Sequence, residues 1–301
     1  MAAKSFEVLS MNNFSIKDIE RLSGIKAHTL RIWEQRHNIQ LCKRKESLHR
    51  YYDNEDLKQI LRISYLYHQG YKISKIANLS KDEINKLATT GSGENNYDIF
   101  INQMIEASID YDQPRFEKII NNALLHLGFE KTVVKVFYPF MEKIGLLWIT
   151  EHVIPAQEHF SSYLIQKKIL VAIDGLEPVP FENGRVVLIF SPEGELHETP
   201  LLVIQYIMKK HKISSVYFGS DVSLAELEYY CKNKIVTHLY FHMITNFLAK
   251  ETEEYINYLV ERFPGKKILA SGPALHDATA DFANVRILRS LNEMLEVYRE
   301  I

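Results

Sequence analysis

The sequence has few of the features that mark secreted, membrane-bound or fibrous proteins. Cys42 and Cys231 are the only two cysteines in 301 residues, which argues against a disulfide framework and fits a reducing cytoplasm. No apolar run approaches the length of a membrane span, and the first residues have no apolar signal-peptide core. Internal repeats and low-complexity blocks are absent as well. We therefore expect a cytoplasmic protein without a membrane partner.

The composition is that of an ordinary globular protein, with 46% hydrophobic and 25% charged residues, and the length suggests two or three domains. The net charge of −2 hides an asymmetry. Residues 1–90 contain 16 Lys and Arg against 10 Asp and Glu, whereas the remainder is acidic. A basic N-terminal part is typical of nucleic-acid binding. The acidic remainder would repel DNA, which indicates that it binds something else.

The first strong pattern lies between residues 14 and 52. Ser15 and Asp18 form a capping-box signature, and the apolar residues that follow at helical spacing predict a short helix that ends at Gly24. A second helix is predicted to begin near Ala27. Two short helices joined by a Gly-containing turn are typical of a helix-turn-helix.

The second helix has an apolar side with Leu30 and Trp33, and its opposite side carries polar and cationic residues. Such a face suits base edges in the major groove, and the basic loop that follows suits phosphates. The expected DNA contacts are His28, Thr29, Arg31, Gln35, Arg36, Lys43, Arg44, Arg50 and Tyr51. Helix and charge alone leave another interpretation open, a small helical hairpin with a solvated charged face.

The order of these residues resembles the winged-helix DNA-binding domain of MerR-type regulators. The segment 29–34, the basic loop 43–45 and the segment 50–57 carry the resemblance, which covers roughly residues 14–79. The two residues before Arg50 depart from the family's usual Gly and aromatic. The resemblance implies a transcriptional regulator that binds double-stranded DNA and is not an enzyme. Binding two-fold symmetric half-sites requires a dimer, so we expect a homo-oligomer, either a dimer or a tetramer.

The middle of the chain predicts a bundle. After a small, polar linker at residues 89–96, apolar residues are dense as far as residue 175. Pro139 predicts a bend inside the third helix. The four helices are expected at residues 97–108, 112–128, 131–147 and 155–173.

Beyond a second linker, short buried strands alternate with helices, which predicts a doubly wound, flavodoxin-like α/β domain with a parallel five-stranded sheet. The strands are expected at residues 186–190, 215–218, 237–241, 267–270 and 285–287. The chain is thus predicted to be multidomain, with a mainly α winged helix-turn-helix at 1–88, a four-helix-bundle cap at 97–176 and the α/β domain at 184–301.

The loop after the first strand of this sheet lies where open α/β sheets bind ligands, and it holds a candidate metal ligand. His197 is flanked by carboxylates, one of which could orient it as a second-shell partner. On position alone, the alternative is a solvated surface histidine. The stretch Glu195-Leu196-His197 resembles the Asp-x-His-x-x-Gly loop of cobalamin-binding domains, although Pro200 replaces the Gly. The resemblance implies that His197 takes the lower axial position on cobalt.

A Trp that is followed ten residues later by Glu-His resembles the helical cap of light-responsive cobalamin regulators of the CarH and LitR kind. The resemblance implies that Trp148 covers the upper face of the corrin. It also implies that Glu158 and His159 lie beside the upper axial group of adenosyl- or methylcobalamin. Ile149 stands where photoreceptor members have a His that captures cobalt after illumination, and the nearest histidine is His152.

The same resemblance places the pocket for the nucleotide tail of cobalamin at His242, Ser271 and Gly272. The family has a Ser in place of His242 and a Gly in place of Ser271, and the larger His is expected to crowd the tail. The sequence therefore predicts a regulator whose oligomerisation responds to a ligand, with cobalamin as the cofactor. Two alternatives stay open: a regulator of the same build that has lost cobalamin and responds to another ligand or a protein, and a corrinoid-dependent methyl-transfer subunit. No nucleophile or metal-cluster spacing is recognisable, so we assign no catalysis.

Overall fold

The fold comes from a computed structural model, in which contacts group the chain into two compact units, residues 1–164 and 165–301. The side chains of residues 44, 89, 146–149, 155 and 249–251 are outside the description. The structure describes residues 14–37, 39, 42–44, 50–89, 97–149, 155–180, 184–244, 249–276, 278 and 283–301. Of the linker expected at residues 89–96, Thr89 belongs to a helix and the rest lies outside this set. The division into three domains stays a prediction.

The first unit begins with a winged helix-turn-helix. Its helices are α1 (Ile16–Ser23), α2 (Ala27–His37), α3 (Asn54–His68), α4 (Ile73–Ile76) and α5 (Lys81–Thr89), and its strands are β1 (Lys43–Arg44) and β2 (Arg50–Tyr51), which pair antiparallel. Ser15 and Asp53 start α1 and α3 with reciprocal capping boxes, which satisfy backbone donors that those helix ends would leave unpaired. Gly24 ends α1 in the left-handed conformation at φ 72°, which costs a glycine little and turns the chain toward α2.

The same unit continues into a helical bundle, whose last helix runs on past Leu164 into the residues of the second unit. Its elements are α6 (Tyr97–Ile109), α7 (Gln113–Leu127), α8 (Phe129–Thr132), a π-helical turn (Val133–Phe137), α9 (Tyr138–Ile149) and α10 (Pro155–Asp174). Phe116 of α7 packs edge-on against Phe140 of α9 and Phe160 of α10, with ring centroids 5.6 and 5.9 Å apart. These aromatic contacts join three helices around one apolar centre.

Pro139 produces a local π-helical turn within the predicted third helix. A proline has no N–H to donate, and its ring collides with the carbonyl four residues earlier in a regular α-helix. The turn immediately before it relieves this conflict, because the Tyr138 N–H donates to the Val133 carbonyl, five residues back. One predicted helix is therefore three consecutive elements.

The second unit is a parallel five-stranded sheet with helices between its strands. Its elements are β3 (Val186–Pro192), α11 (Thr199–Lys210), β4 (Ser214–Val222), α12 (Leu224–Asn233), β5 (His238–His242), α13 (Ala249–Arg262), β6 (Lys267–Ser271), β7 (Val285–Leu288) and α14 (Leu291–Leu295), with single 3₁₀ turns at Pro273–Leu275 and Val297–Glu300. The strand order is β4-β3-β5-β6-β7, and all neighbours run parallel. The predicted α/β class is confirmed.

The strand order positions a site at one edge of the sheet. From β3 the chain crosses to β4 on one side and then to β5 on the other, so the carboxyl ends of β3 and β5 flank a topological switch point. All seven residues of β3 are buried, as expected for a central strand covered on both faces. Leu227 of α12 and Leu259 of α13 are fully buried in the core beside the sheet. Among the described residues, no helix is long and apolar enough to cross a membrane.

His238, at the start of β5, is a buried histidine that the fold keeps uncharged. Burial, with Lys267 and Arg185 nearby, lowers the pKa of His238 to about 4. Its Nδ1 lies 2.8 Å from Thr237 Oγ1. Its Nε2 is buried without a hydrogen bond among the described residues. A proton at Nε2 would therefore create a buried, unpaired charge.

We expect acid to destabilise the second unit through this histidine. Between pH 6.5 and 4, His238 is protonated in the unfolded chain but stays neutral in the folded chain. The free energy of unfolding therefore falls as pH falls, by up to about 3 kcal/mol. Urea unfolding followed by circular dichroism at several pH values measures this. His238→Gln should show a shallower pH dependence over that window, and an identical slope in both proteins would contradict the assignment.

Candidate functional site

The second helix of the helix-turn-helix presents a polar, cationic surface. Leu30 and Trp33 are buried, and the Trp33 ring meets the Tyr67 ring of α3 edge-on at 4.9 Å between centroids. These contacts fix α2 against α3. The opposite side leaves four of the expected DNA-contacting side chains exposed and Thr29 half-buried. The exposed four are His28, Arg31, Gln35 and Arg36.

Glu20, which the sequence analysis missed, aligns the two helices. Its Oε2 accepts a hydrogen bond from the Ala27 N–H at 3.0 Å, and its Oε1 accepts one from Lys26 Nζ at 2.9 Å. A carboxylate at the first turn of α2 accepts from a backbone N–H that has no partner within the helix. Its negative charge also interacts favourably with the positive end of the helix dipole. The only sequence signal was an acidic residue seven positions before a helix start, which is too common to single out.

One ion pair attaches the wing to α2, and a second attaches it to the start of α3. Arg50 Nε donates to Glu34 Oε2 of α2 at 3.3 Å, and Lys43 Nζ donates to the Asp53 carboxylate that caps α3. Two of the cations expected to bind phosphates are thus paired with carboxylates of the domain itself. Tyr51 is half-buried in β2, and the Arg44 side chain lies outside the description.

The loop after β3 holds His197 in one orientation. Glu195 is fully buried, and its Oε1 accepts from the His197 N–H at 3.1 Å and lies 2.5 Å from His197 Nδ1. Its other oxygen accepts from the Ile244 N–H, beyond β5, at 2.7 Å. The His197 side chain is 44% exposed. One carboxylate therefore connects the loops after β3 and β5 and orients the imidazole.

This arrangement suits a histidine that ligates a metal. A carboxylate at Nδ1 keeps the ring proton there, so the lone pair of a neutral imidazole is on Nε2. Among the described residues, no three His, Cys, Asp or Glu side chains cluster in a way that could enclose an ion. His197 is thus a candidate for a single axial ligand to a metal whose other ligands come from a cofactor.

Asp221, at the end of β4, is a second residue that the sequence analysis missed. Its Oδ1 accepts from the Gly194 N–H at 2.8 Å, and its own N–H donates to the Glu195 carbonyl at 3.1 Å. The residue adopts φ 59°, a left-handed conformation that aspartate tolerates better than most residues do. It holds the Glu195 backbone in place, and no sequence pattern marks it.

Below this loop, the edge of the sheet is closed by a buried polar cluster. His242 Nδ1 lies 2.8 Å from Ser271 Oγ, which lies 2.5 Å from the Tyr240 hydroxyl. Ser191 Oγ donates to the His242 carbonyl at 3.0 Å. Burial lowers the pKa of His242 to about 4, so this ring is neutral at physiological pH. The predicted tail-pocket residues His242 and Ser271 contact each other.

Gly272 follows this cluster at a point where a side chain cannot fit. It adopts φ 118°, and an added Cβ would lie 2.0 Å from the Met243 carbonyl oxygen. Only a glycine allows the chain after β6 to pass so close to the chain after β5.

The predicted residues of the helical cap are described only in part. Trp148 lies on α9, but its side chain is outside the description, as is the whole of His152. Glu158 and His159 lie in the first turns of α10, with 3.7 Å between Glu158 Oε2 and His159 Nε2. Glu158 is half-buried and His159 is exposed. The placement of these three side chains against a ligand therefore stays a prediction.

Two family models match the chain. Residues 14–83 match the model described as MerR HTH family regulatory protein, and residues 100–172 match the model described as B12 binding domain. The first match covers the helix-turn-helix and wing. The second lies in the helical bundle.

Curated relatives and a solved structure agree with these matches. The chain is 25% identical over 226 residues to the HTH-type transcriptional repressor CarH of Myxococcus xanthus, covering 73% of this chain and 75% of that protein. It is 24% identical over 219 residues to the repressor CarA of the same organism, covering 72% and 71%. The monomethylamine corrinoid protein of Methanosarcina barkeri shares the fold at 15% identity and a TM-score of 0.52, over 67% of this chain and 97% of that one.

The predicted resemblance is confirmed: a MerR-type helix-turn-helix precedes a B12-binding domain, in a chain homologous to the CarH and CarA repressors. These relatives are regulators, which agrees with the expectation that the chain is not an enzyme.

Proposed function

We propose that this MerR-type regulator with a B12-binding domain is a DNA-binding switch whose self-association is controlled by a corrinoid held between its helical cap and its α/β domain. Its partners would be operator DNA and further copies of itself, in the cytoplasm. The single observation that carries the proposal is the Glu195-oriented His197 at the switch point of the sheet, in a chain that also presents an exposed cationic helix.

The exposed side of α2 supports DNA reading. Arg31 and Gln35 lie on that side. The side chains of Arg and Gln can each make two hydrogen bonds to the edge of one base. Arg50 stays beside α2 through Glu34, so the wing and the reading helix would meet DNA as one surface. The pairing of Arg50 uses only part of its donors, because a guanidinium has five N–H groups. Contacts of Arg50 with phosphates therefore remain compatible with the ion pair.

We expect Arg31→Ala to weaken specific binding by about 1–3 kcal/mol if Arg31 contacts a base. Arg31→Lys is the matched control, since it keeps the charge and loses the planar fork. Fluorescence anisotropy with operator and random duplexes at two salt concentrations measures both. If Arg31→Ala weakens binding to both duplexes equally, and Arg31→Lys restores it, Arg31 contacts only phosphate.

The loop after β3 supports corrinoid binding. When bound, a corrinoid supplies a cobalt with one position open on each side of the corrin ring. His197, with its ring oriented by Glu195, would take the lower position. By the resemblance to CarH-like regulators, Trp148, Glu158 and His159 would cover the upper face of an adenosyl- or methyl-corrinoid. Ile149 lacks the imidazole that a capture of cobalt after illumination would need, so the proposal includes no light response.

Buried ion pairs provide a physical connection between the bundle and the DNA-binding domain. Arg62 of α3 makes two hydrogen bonds to Glu106 of α6, at 2.8 and 2.6 Å, and Arg115 of α7 adds a third at 2.7 Å. Lys58 of α3 donates to Asp110 at 2.5 Å. These contacts hold α3, whose first residues adjoin the wing, against the bundle. A ligand that favours one arrangement of the bundle would thereby favour one arrangement of the reading surface.

Titration of the purified full chain with adenosylcobalamin and, separately, with cobinamide tests the corrinoid proposal. We expect at least one pigment to change its visible spectrum, to co-elute with the protein on gel filtration and to shift its elution volume. His197→Ala should lose the pigment, whereas His126→Ala, which removes an exposed histidine of α7, should retain it. Retention of neither pigment by the wild type would reject the proposal.

A further inference from the structure

Resting on the proposed function, we infer that the site takes a corrinoid without an inserted nucleotide tail, because the protein's own side chains close the edge of the sheet beneath His197. The proposal names the form of the ligand. The corrin would bind, but the base-bearing tail of cobalamin would not find a pocket.

A protein that binds cobalamin through a histidine must also accommodate the nucleotide tail of cobalamin. The lower axial ligand of free cobalamin is a base on a nucleotide tail that is attached covalently to the corrin ring. A protein histidine that takes this position displaces the base. The displaced tail must then lie on the same side of the ring as the histidine. For His197, that side is the carboxyl edge of β3, β5 and β6.

The structure closes that edge between β3 and β5. Glu195 Oε2 accepts from the Ile244 N–H at 2.7 Å, and Ser191 Oγ donates to the His242 carbonyl at 3.0 Å. The first bond joins the loops that follow the two strands, and the second joins the strand ends themselves. A nucleotide-sized group could enter between these strands only if the bonds broke, one of them to the carboxylate that orients His197.

The edge is closed between β5 and β6 as well. His242, Ser271 and Tyr240 are buried, and the first and last each lie within hydrogen-bond distance of Ser271 Oγ. The Met243 N–H donates to the Ser271 carbonyl at 3.0 Å. At Gly272 the two chains touch so closely that not even a methyl group fits. An interior packed in this way has no room for an additional group without displacing its neighbours.

The imidazole of His242 is the part of this closure that stands where the resembled family has a Ser. It lies beside Ser271 and is neutral, so its removal deletes volume without leaving an unpaired charge. The Tyr240 hydroxyl belongs to the same cluster, but the ring would remain in Tyr240→Phe. The pair of variants therefore separates volume from hydrogen bonding. His242→Ser opens space, and Tyr240→Phe removes a hydrogen bond only.

The test compares cobinamide, which has no nucleotide tail, with cobalamin, both as methyl forms, by visible titration of the full chain in the dark. The methyl group occupies the upper position, so an incoming imidazole must compete with the nucleotide base for the lower one. Free imidazole provides the reference, because its affinities for the two pigments give the preference that arises from loss of the competing base alone. We expect the wild type to prefer cobinamide by at least about tenfold more than free imidazole does. His242→Ser should reduce this excess about tenfold by strengthening cobalamin binding, with cobinamide binding unchanged. Tyr240→Phe should retain the excess.

The outcomes separate this inference from the proposed function. If the wild type shows the same preference between the two pigments as free imidazole, the edge of the sheet does not exclude the nucleotide tail. The corrinoid proposal would then stand without this inference. If it binds neither, the corrinoid proposal itself fails. Should His242→Ser not fold, as judged by circular dichroism, the comparison between wild type and free imidazole decides alone.

Discussion

Replacing Gly272 by alanine is expected to destabilise the α/β unit by at least about 4 kcal/mol, enough to unfold many domains. Two costs combine. Alanine strongly disfavours φ 118°, and its Cβ would lie 2.0 Å from the Met243 carbonyl oxygen, which forces the backbone to move. The chain after β5 that would have to move includes Ile244, whose N–H holds Glu195. Loss of stability would therefore be accompanied by loss of the His197 orientation.

Gly265→Ala is the matched control for this change. Gly265 belongs to the same unit and also has a positive φ, 81°, but an added Cβ would meet nothing within 4 Å. Its substitution should cost only the conformational penalty of about 1–2 kcal/mol. Hydrogen exchange of peptides from β5 and β6, read by mass spectrometry, measures the local free energy of opening in both variants. Equal protection in the two would show that the close approach at Gly272 relaxes without cost.

Arg62→Met should cost the N-terminal unit about 3 kcal/mol, because among the described residues it leaves the buried Glu106 carboxylate with Arg115 as its remaining ion-pair partner. The Glu106 side chain is only 3% exposed, so water cannot replace the lost guanidinium. Methionine keeps most of the apolar stem of arginine, which limits the loss of packing. Hydrogen exchange of α3 and α6 peptides, together with urea unfolding, gives the measurement.

Two further variants test whether charge is the cause. Adding Glu106→Gln to Arg62→Met removes the buried charge and should restore part of the lost stability, which a simple loss of packing would not do. Lys26→Met breaks the exposed pair with Glu20, whose side chains are 71% and 29% exposed, and should cost no more than about 1 kcal/mol. A double variant less stable than Arg62→Met alone would contradict the account.

The local features of this fold were predictable because neighbours in sequence determine them. The capping boxes at Ser15 and Asp53 and the amphipathic pattern of α2 involve residues at most one or two helical turns apart. The five strands were predictable from short apolar runs that alternate with helical segments. The π-helical turn before Pro139 was predicted only as a bend, since sequence shows that proline disrupts a helix but not how the backbone adjusts.

The features that the sequence could not reveal are those that join distant segments. Glu195 was expected to flank His197, but its bond to Ile244, 49 residues later, depends on the strand order. The sequence shows that Lys43 and Arg50 are cationic, but not which carboxylates they pair with. The fold brings Asp53 to Lys43 and Glu34 to Arg50. The pair of Arg62 and Glu106 likewise spans 44 residues across a linker.

The contact between Trp33 and Tyr67 has a spectroscopic consequence. The chain contains two tryptophans, Trp33 and Trp148, and both precede the sheet. Selective indole emission therefore monitors the winged helix-turn-helix and the helical bundle, without any signal from the α/β domain. In Trp148→Phe the one remaining indole would be that of Trp33, the buried ring that fixes α2 to α3. The wavelength and intensity of its emission would therefore report a displacement of α2 directly.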